Sequence, residues 1–227
     1  MLIIGHRGAG GLAPENTIRS FQLAKDYGVD LLECDLRRTK DDQIVLCHDA
    51  NLQRTHGLRL RIKDLTLAQL RQKTAKTGKE IVELSEFLGL ADRPINLDVK
   101  DTGIEEQTLQ AIKGFAHKVL ITAWNPRILK KIRALDGNIS IGPILGYKYG
   151  WLLPIMIVMV KKLNVYSITI GSELVNVRRM ERFKKLGWKV LSCPVDAQDS
   201  FKQQKIFGVD GVFTDRPDII KSIKGLV

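Results

Sequence analysis

A (β/α)8 barrel, built as a single α/β domain with one short extra strand after strand two, is the fold this sequence predicts, on three observations. The chain has 227 residues, 44% of them hydrophobic and 27% charged, enough for one full core and close to the barrel size of about 250 residues. Short aliphatic runs alternate with segments of helical period from end to end, giving eight strand–helix units once one short strand is set aside. That alternation builds a parallel sheet with helices outside it, and eight units close the sheet on itself. Ionisable residues, finally, interrupt or follow the apolar strands at their C-terminal ends, which is where such barrels carry chemistry. No linker or low-complexity tract divides the chain, so residues 1–227 read as one domain.

Taken in order, residues 2–5 form the first strand, and Ile18, Phe21, Ala24 and Tyr27 recur at near-helical spacing until Gly28. Strand 31–36 follows, then the short extra strand 44–47 and a loop containing Thr55-His56-Gly57. A helix over 84–90 leads into strand 95–99, the third of the barrel. The alternation continues as helix 104–115, strand 119–122, a helix from Pro126, strand 139–141 and helix 152–162. Strand 165–170, helix 174–186, strand 189–191, helix 197–207, strand 211–214 and a helix after Pro217 complete it.

Composition excludes several classes. The longest apolar stretch, Trp151 to Val160, has ten residues and contains Pro154, whereas a membrane span needs about 20. No basic leader precedes the first strand, so no signal peptide is expected. Cys34, Cys47 and Cys193 are odd in number, lie on or beside strands and lack metal-type spacing, as reduced thiols of a cytoplasmic protein would. The net charge of +11 favours anionic partners. Its cations are scattered in pairs such as Arg37-Arg38 and Lys184-Lys185, however, so a solvated surface is expected and no nucleic-acid partner. The Trp151–Val160 run, flanked by Lys148 and Lys161-Lys162, is read first as the fifth barrel helix and second as a membrane-docking segment.

Glu33 and Asp35 stand two apart on a strand and so project to one face, away from Leu32, Cys34 and Leu36. Two such carboxylates inside a barrel repel each other and lose hydration, and a divalent cation relieves both penalties. Asn96, Asp98 and Lys100 repeat that register; Asp98 can bring a third carboxylate and Lys100 a charge for phosphate oxygens. The plainer alternative is a buried Lys100 salt bridge to Asp98 or Glu33. His6 and His48, each at a strand end, suit an acid/base pair, while His56 and His117 read as bystanders. The loop Gly8 to Thr17 places Glu15 near the strand ends and offers Asn16 or Thr17 as a helix cap. Gly8-x-Gly10-x-x-Ala13 fits a loose dinucleotide fingerprint, but Pro14 delays the helix and His6-Arg7 occupy the strand end, which sets that reading aside.

Together these motifs resemble a known family. His6-Arg7-Gly8, Pro14-Glu15-Asn16-Thr17, Glu33-x-Asp35, Val45-x-x-His48-Asp49 and Leu52-x-Arg54-Thr55 are similar, in order and spacing, to the glycerophosphodiester phosphodiesterase signature. Asn96-x-Asp98-x-Lys100 and the stretch from Gly208 to Pro217 extend the likeness over nearly the whole chain. The resemblance implies a TIM barrel that hydrolyses glycerophosphodiesters to glycerol 3-phosphate and an alcohol, with one divalent cation: Mg²⁺ or Ca²⁺, with Mn²⁺ a further option. On that pattern His6 and His48 are the acid/base pair, and Glu33, Asp35 and Asp98 the metal ligands. Arg7 and Lys100 hold the phosphate, Glu15 orders the substrate site and Trp124 stacks on the glycerol end. Three positions depart from the pattern: Asp98 replaces a glutamate, Trp124 a phenylalanine, and Cys193-Pro-Val-Asp196 a Trp-Thr-Val-Asn. Rival expectations are a lysophospholipase D-type activity on membrane lysophospholipids and a non-catalytic phosphate- or lipid-binding barrel.

Overall fold

Among the described residues, nine strands form one sheet in the order β1-β9-β8-β7-β6-β5-β4-β2-β3, and an added β1–β2 pairing closes eight of them into a barrel. The computed structural model describes the backbone of residues 1–224 and the side chains of 1–146 and 150–220. The barrel strands are β1 (Leu2–Gly5), β2 (Leu31–Arg38), β4 (Ile95–Val99), β5 (Val119–Ala123), β6 (Ser140–Leu145), β7 (Ser167–Gly171), β8 (Lys189–Cys193) and β9 (Gly211–Thr214). All barrel pairs are parallel; β3 (Ile44–Leu46) alone pairs antiparallel, on the end of β2 and outside the barrel.

The strand period sorts the side chains. Ile3, Leu32, Cys34, Leu36, Ile95, Leu97, Val99, Ile121, Ile168 and Val190 point outward into the core that the helices cover. Their neighbours point inward: Ile4, Leu120, Leu191 and Phe213 form a small apolar cluster there. Glu33, Asp35, Asn96, Asp98, Thr122 and Thr169 are buried on the same inner side. The barrel interior is therefore partly polar, and the register Glu33↔Asn96 and Asp35↔Asp98 sets the acids of β2 and β4 side by side.

Helix boundaries follow local chemistry. α1 (Ile18–Asp26) starts at Thr17 rather than at Pro14: Thr17 Oγ1 accepts from Ser20 N and Ser20 Oγ accepts from Thr17 N, each at 3.2 Å, a reciprocal cap. The predicted helix 104–115 is shorter, α5 (Glu105–Ala111), because the chain turns at Gly114 with φ +84°. The predicted helix 152–162 begins as a 3-10 turn, Tyr147–Leu152, and continues as α7 (Leu153–Val160), with Pro154 in the first turn where no N–H is needed. The predicted helix 174–186 is likewise trimmed to α8 (Val177–Lys185), because Asn176 Oδ1 caps Arg179 N at 3.0 Å. The stretch after β3, where the sequence shows only a loop containing Thr55-His56-Gly57, holds α2 (Gln53–His56) and α3 (Leu67–Thr74) over a satellite core of Val45, Cys47, Leu52, Ile62, Leu70 and Ile81.

Candidate active site

The C-terminal ends of β1, β2 and β4, with the loops beyond β1 and β3, bring the predicted residues together, apart from Trp124 after β5. The β1 end turns sharply: Arg7 has φ +53° and Gly8 φ +81°, and a Cβ on Gly8 would lie 2.4 Å from Ser20 Oγ. That close approach presses the loop onto α1, where Ser20 Oγ donates to Arg7 O at 2.9 Å. As a result Arg7 N donates to Glu33 Oε2 at 2.7 Å, while the guanidinium meets Glu15 Oε1 at 3.1 Å and Asp35 Oδ2 at 3.2 Å.

Glu33, Asp35 and Asp98 offer oxygens that all lie within 4.8 Å of one another, and all three residues are buried. Their surroundings differ. Asp35 is held by Lys100 Nζ at 2.9 Å, by Arg7 and by Asn16 Nδ2 at 2.9 Å. Burial works against its charge, but Lys100 and Arg7 outweigh burial and lower its pKa. Glu33 has no such cation to spare; burial first, then Asp35, push its pKa up to about 8 against the pull of His6 and Arg7. Asp98 is likewise raised by burial, although Lys100 Nζ is bonded to its Oδ2. Lys100 thus pairs with Asp98 and Asp35, and the sequence alternative of a Lys100–Glu33 bridge is not formed among the described contacts.

A hard cation fits this cluster on the structure's own terms. Asp98 Oδ1 is buried without a hydrogen-bond partner, and Glu33 lacks the counter-charge its burial demands. Every donor is a carboxylate oxygen, the set that suits Mg²⁺, Ca²⁺ or Mn²⁺.

Two histidines border the acids, each with its Nδ1 on a carboxylate. His6 Nδ1 is 2.9 Å from Asp215 Oδ1, and His48 Nδ1 is 2.7 Å from Asp49 Oδ1. Those contacts orient each ring and leave Nε2 for chemistry. Their protonation preferences diverge. Burial lowers the His6 pKa, but Cys193, Asp215 and Glu33 together lift it well above the ordinary value. For His48, burial and then Lys100 dominate and lower it.

The sequence alone gives no site role to Asp215, Asp49, Asn16 or Arg54. Arg54 links the two halves of the site: Nε donates to Asp49 Oδ2 at 2.7 Å, and Nη1 and Nη2 grip Glu15 at 2.6 and 2.7 Å. Its only sequence signal was the Leu52-x-Arg54-Thr55 match. Asp196, a departure from the family pattern, accepts from Asp215 N at 2.7 Å and so fixes the partner of His6. Cys193, another departure, lies with Sγ 4.0 Å from His6 Nε2. Trp124 follows β5 at the rim, is exposed, and lines a groove with Leu152 and Ile155. His56 contacts Thr55, and His117 packs edge-on to Phe115.

Residues 6–219 match the Glycerophosphoryl diester phosphodiesterase family. The chain belongs to that family. It is 30% identical over 236 residues to a glycerophosphodiester phosphodiesterase of Caldanaerobacter subterraneus, covering 96% of each chain. Among solved structures it is similar to a phosphodiesterase of Oleispira antarctica in complex with sn-glycerol-3-phosphate, at 25% identity and a TM-score of 0.87, covering 99% of this chain and 96% of that one. A glycerophosphodiester phosphodiesterase of Thermotoga maritima shares the fold, with a TM-score of 0.85 at 22% identity and 98% of both chains covered. The resemblance read from the motifs and the barrel read from the alternation are both borne out, and the chain is a phosphodiester hydrolase of this family.

Proposed function

We propose that this hydrolase cleaves glycerophosphodiesters to glycerol 3-phosphate and an alcohol, with His48 as general base and His6 as general acid. One observation carries the reading: two histidines, each held through Nδ1 by a carboxylate, border a buried triple-carboxylate cluster with pKa values driven apart. Environments that separate two titratable groups in this way assign their roles. His48, kept neutral by burial and Lys100, takes the proton from the attacking oxygen, whether a substrate hydroxyl or water. The bond from phosphorus to the alcohol oxygen breaks, and protonated His6 supplies the proton that the departing alkoxide needs. Where the substrate hydroxyl attacks, water then opens the cyclic phosphate to glycerol 3-phosphate, with His6 taking the proton of the water and His48 returning its own to the hydroxyl.

Glu33, Asp35 and Asp98 would hold a divalent cation, which supplies charge neutralisation to the phosphate oxygens. The chain adds its own cations. Lys100 uses two of its three N–H donors on Asp35 and Asp98, leaving one for a phosphate oxygen. Arg7 keeps free donors on its guanidinium fork while Glu15 and Asp35 fix its plane. Glu15, gripped by Arg54, acts through Arg7, and Trp124 offers an aromatic face at the rim.

A panel of glycerophosphocholine, glycerophosphoethanolamine and glycerophosphoinositol, assayed for glycerol 3-phosphate with and without chelator, tests this reading. Release that chelator abolishes and Mg²⁺, Ca²⁺ or Mn²⁺ restores is expected. Full turnover in excess chelator would remove the metal role, and no turnover on any member with added cation would remove the substrate assignment.

A further inference from the structure

Helix α7 is apolar on both of its faces. Leu153, Met156, Ile157 and Val160 are buried against the barrel, as a barrel helix requires. The other face looks into solvent: Trp151 is 71% exposed, Ile155 54%, Val158 64% and Met159 52%. With Pro154 these residues occupy positions 151, 154, 155, 158 and 159, one stripe at helical period. Single exposed apolar residues are ordinary, but a contiguous stripe marks an interaction surface. A groove of about 460 Å³ continues it toward α6 (Pro126–Leu135), lined by Trp124, Arg127, Leu152, Ile155, Met156 and Met159.

Charge identifies the partner. Between residues 107 and 172 stand nine lysines and arginines against a single acid, Asp136. That acid is turned onto its own loop, where Oδ1 accepts from the backbone N–H groups of Asn138 and Ile139. Lys131 is tied to Glu105 at 3.0 Å. Arg127, Lys130, Lys161 and Lys162 are exposed, and no acid pairs with them among the described residues. A second copy of the chain would bring these same cations face to face, which opposes self-association. An apolar stripe bearing a tryptophan and ringed by unpaired cations matches the interface of an anionic bilayer.

We propose that the exposed α7 face docks the protein onto an anionic phospholipid surface. The helix lies on that surface; among the described residues no helix is long and apolar enough to cross a membrane. The barrel mouth and the docking face meet at the Trp124 rim, so docking holds the mouth beside the lipid headgroups. Nothing in this inference depends on the catalytic roles given above, because vesicle binding is read without turnover.

Vesicle co-sedimentation tests it, comparing phosphatidylcholine alone with phosphatidylcholine containing phosphatidylglycerol. The protein should sediment with the anionic vesicles only, and less as salt rises. A Trp151→Ser/Ile155→Ser variant and a Lys161→Glu/Lys162→Glu variant should each bind those vesicles at least about tenfold more weakly. Both should melt close to wild type and keep wild-type turnover of a soluble glycerophosphodiester. Three results would overturn the proposal: no sedimentation with anionic vesicles, sedimentation unchanged in both variants, or a lipid-free dimer that the Trp151→Ser/Ile155→Ser change dissociates.

Discussion

The two histidines differ from each other more than their matching carboxylate partners suggest, and that difference can be measured. His6→Ala and His48→Ala should each lower turnover by roughly 10²–10⁴-fold with the fold retained, whereas His56→Ala and His117→Ala stay near wild type. A wild-type rate in either of the first two, measured at saturating substrate, removes that histidine from the chemistry. Asp215 gives the pH test. Burial opposes the charge on His6, and Asp215 is among the groups that restore it. Asp215→Asn should therefore lower the His6 pKa and move the alkaline limb of the kcat/KM profile to lower pH, because the acid loses its proton sooner. An unshifted limb would show that Asp215 only packs against the ring. Much of this site was legible as spacing: Glu33 and Asp35 two apart, then Asn96, Asp98 and Lys100 in the same register. What was not legible was pairing across the chain. His6 and Asp215 lie 209 positions apart, and nothing local in the Thr214-Asp215-Arg216 stretch announces a partner just after β1. Arg54 and Glu15 meet across 39 positions and were hidden for the same reason.

Elements were legible where apolar periodicity ran long enough, and their ends where a cap was chemically distinct. Strands 2–5, 95–99 and 211–214 and helix 84–90 match the structure because each apolar run is bounded by loop chemistry or charge. The misses have local causes. α2 and α3 are short and cover a satellite core of six buried residues, so too few turns repeat for a period to emerge. Strand β6 runs on to Leu145 through Gly142 and Pro143, two residues that argue against a strand in sequence. Gly142 is needed there because a Cβ would lie 2.6 Å from Ser167 Oγ on β7. At the start of α1, the two candidate caps resolve to Thr17, while Asn16 takes φ +58° and turns its amide to Asp35. Thr17 Oγ1 also donates to Pro14 O at 2.6 Å, which ties the Glu15-bearing loop to the helix. Thr17→Ala should cost about 1 kcal/mol of stability, read as a lower urea midpoint at unchanged m-value. Thr17→Ser should recover most of it. A midpoint unchanged in the alanine variant would mean that packing alone holds the start of α1.

Across the whole molecule, the barrel carries an electrostatic burden at its centre that the cation should relieve. Three carboxylates share the interior with Lys100 and Arg7, and Glu33 is left with a pKa raised from 4.5 to about 8. The sign of the consequence is fixed. A group that binds its proton more tightly when folded stabilises the fold fully below its unfolded pKa, and that stability is lost as pH rises through the folded pKa. In chelator, therefore, the protein should lose stability between pH 4.5 and about 8, in proportion to the proton that Glu33 must release. Asp98, raised in the same direction, adds to the effect. Asp35 acts the other way; its lowered pKa stabilises the fold above the ordinary carboxylate range and loses that effect only in acid. A divalent cation held by these carboxylates would bind their ionised form, so its stabilisation should grow over the same window in which the chelated protein weakens. At a concentration of about 100 times Kd the gain is about 2.7 kcal/mol. For a chain of this size that is roughly 5–10 °C in Tm. Thermal melts at pH 5 and pH 8, with Mg²⁺ or Ca²⁺ and with chelator, should show a clearly larger cation shift at pH 8. Glu33→Gln should flatten the pH dependence in chelator, since the titrating proton is gone. Asp98→Asn should need roughly tenfold or more cation for the same shift, while Asp98→Glu, which keeps the charge, stays within a few-fold of wild type. An Asn variant that titrates cation like wild type would make Asp98 a partner of Lys100 alone. A cation shift that is equal at both pH values would show that the ion binds elsewhere than among these three carboxylates.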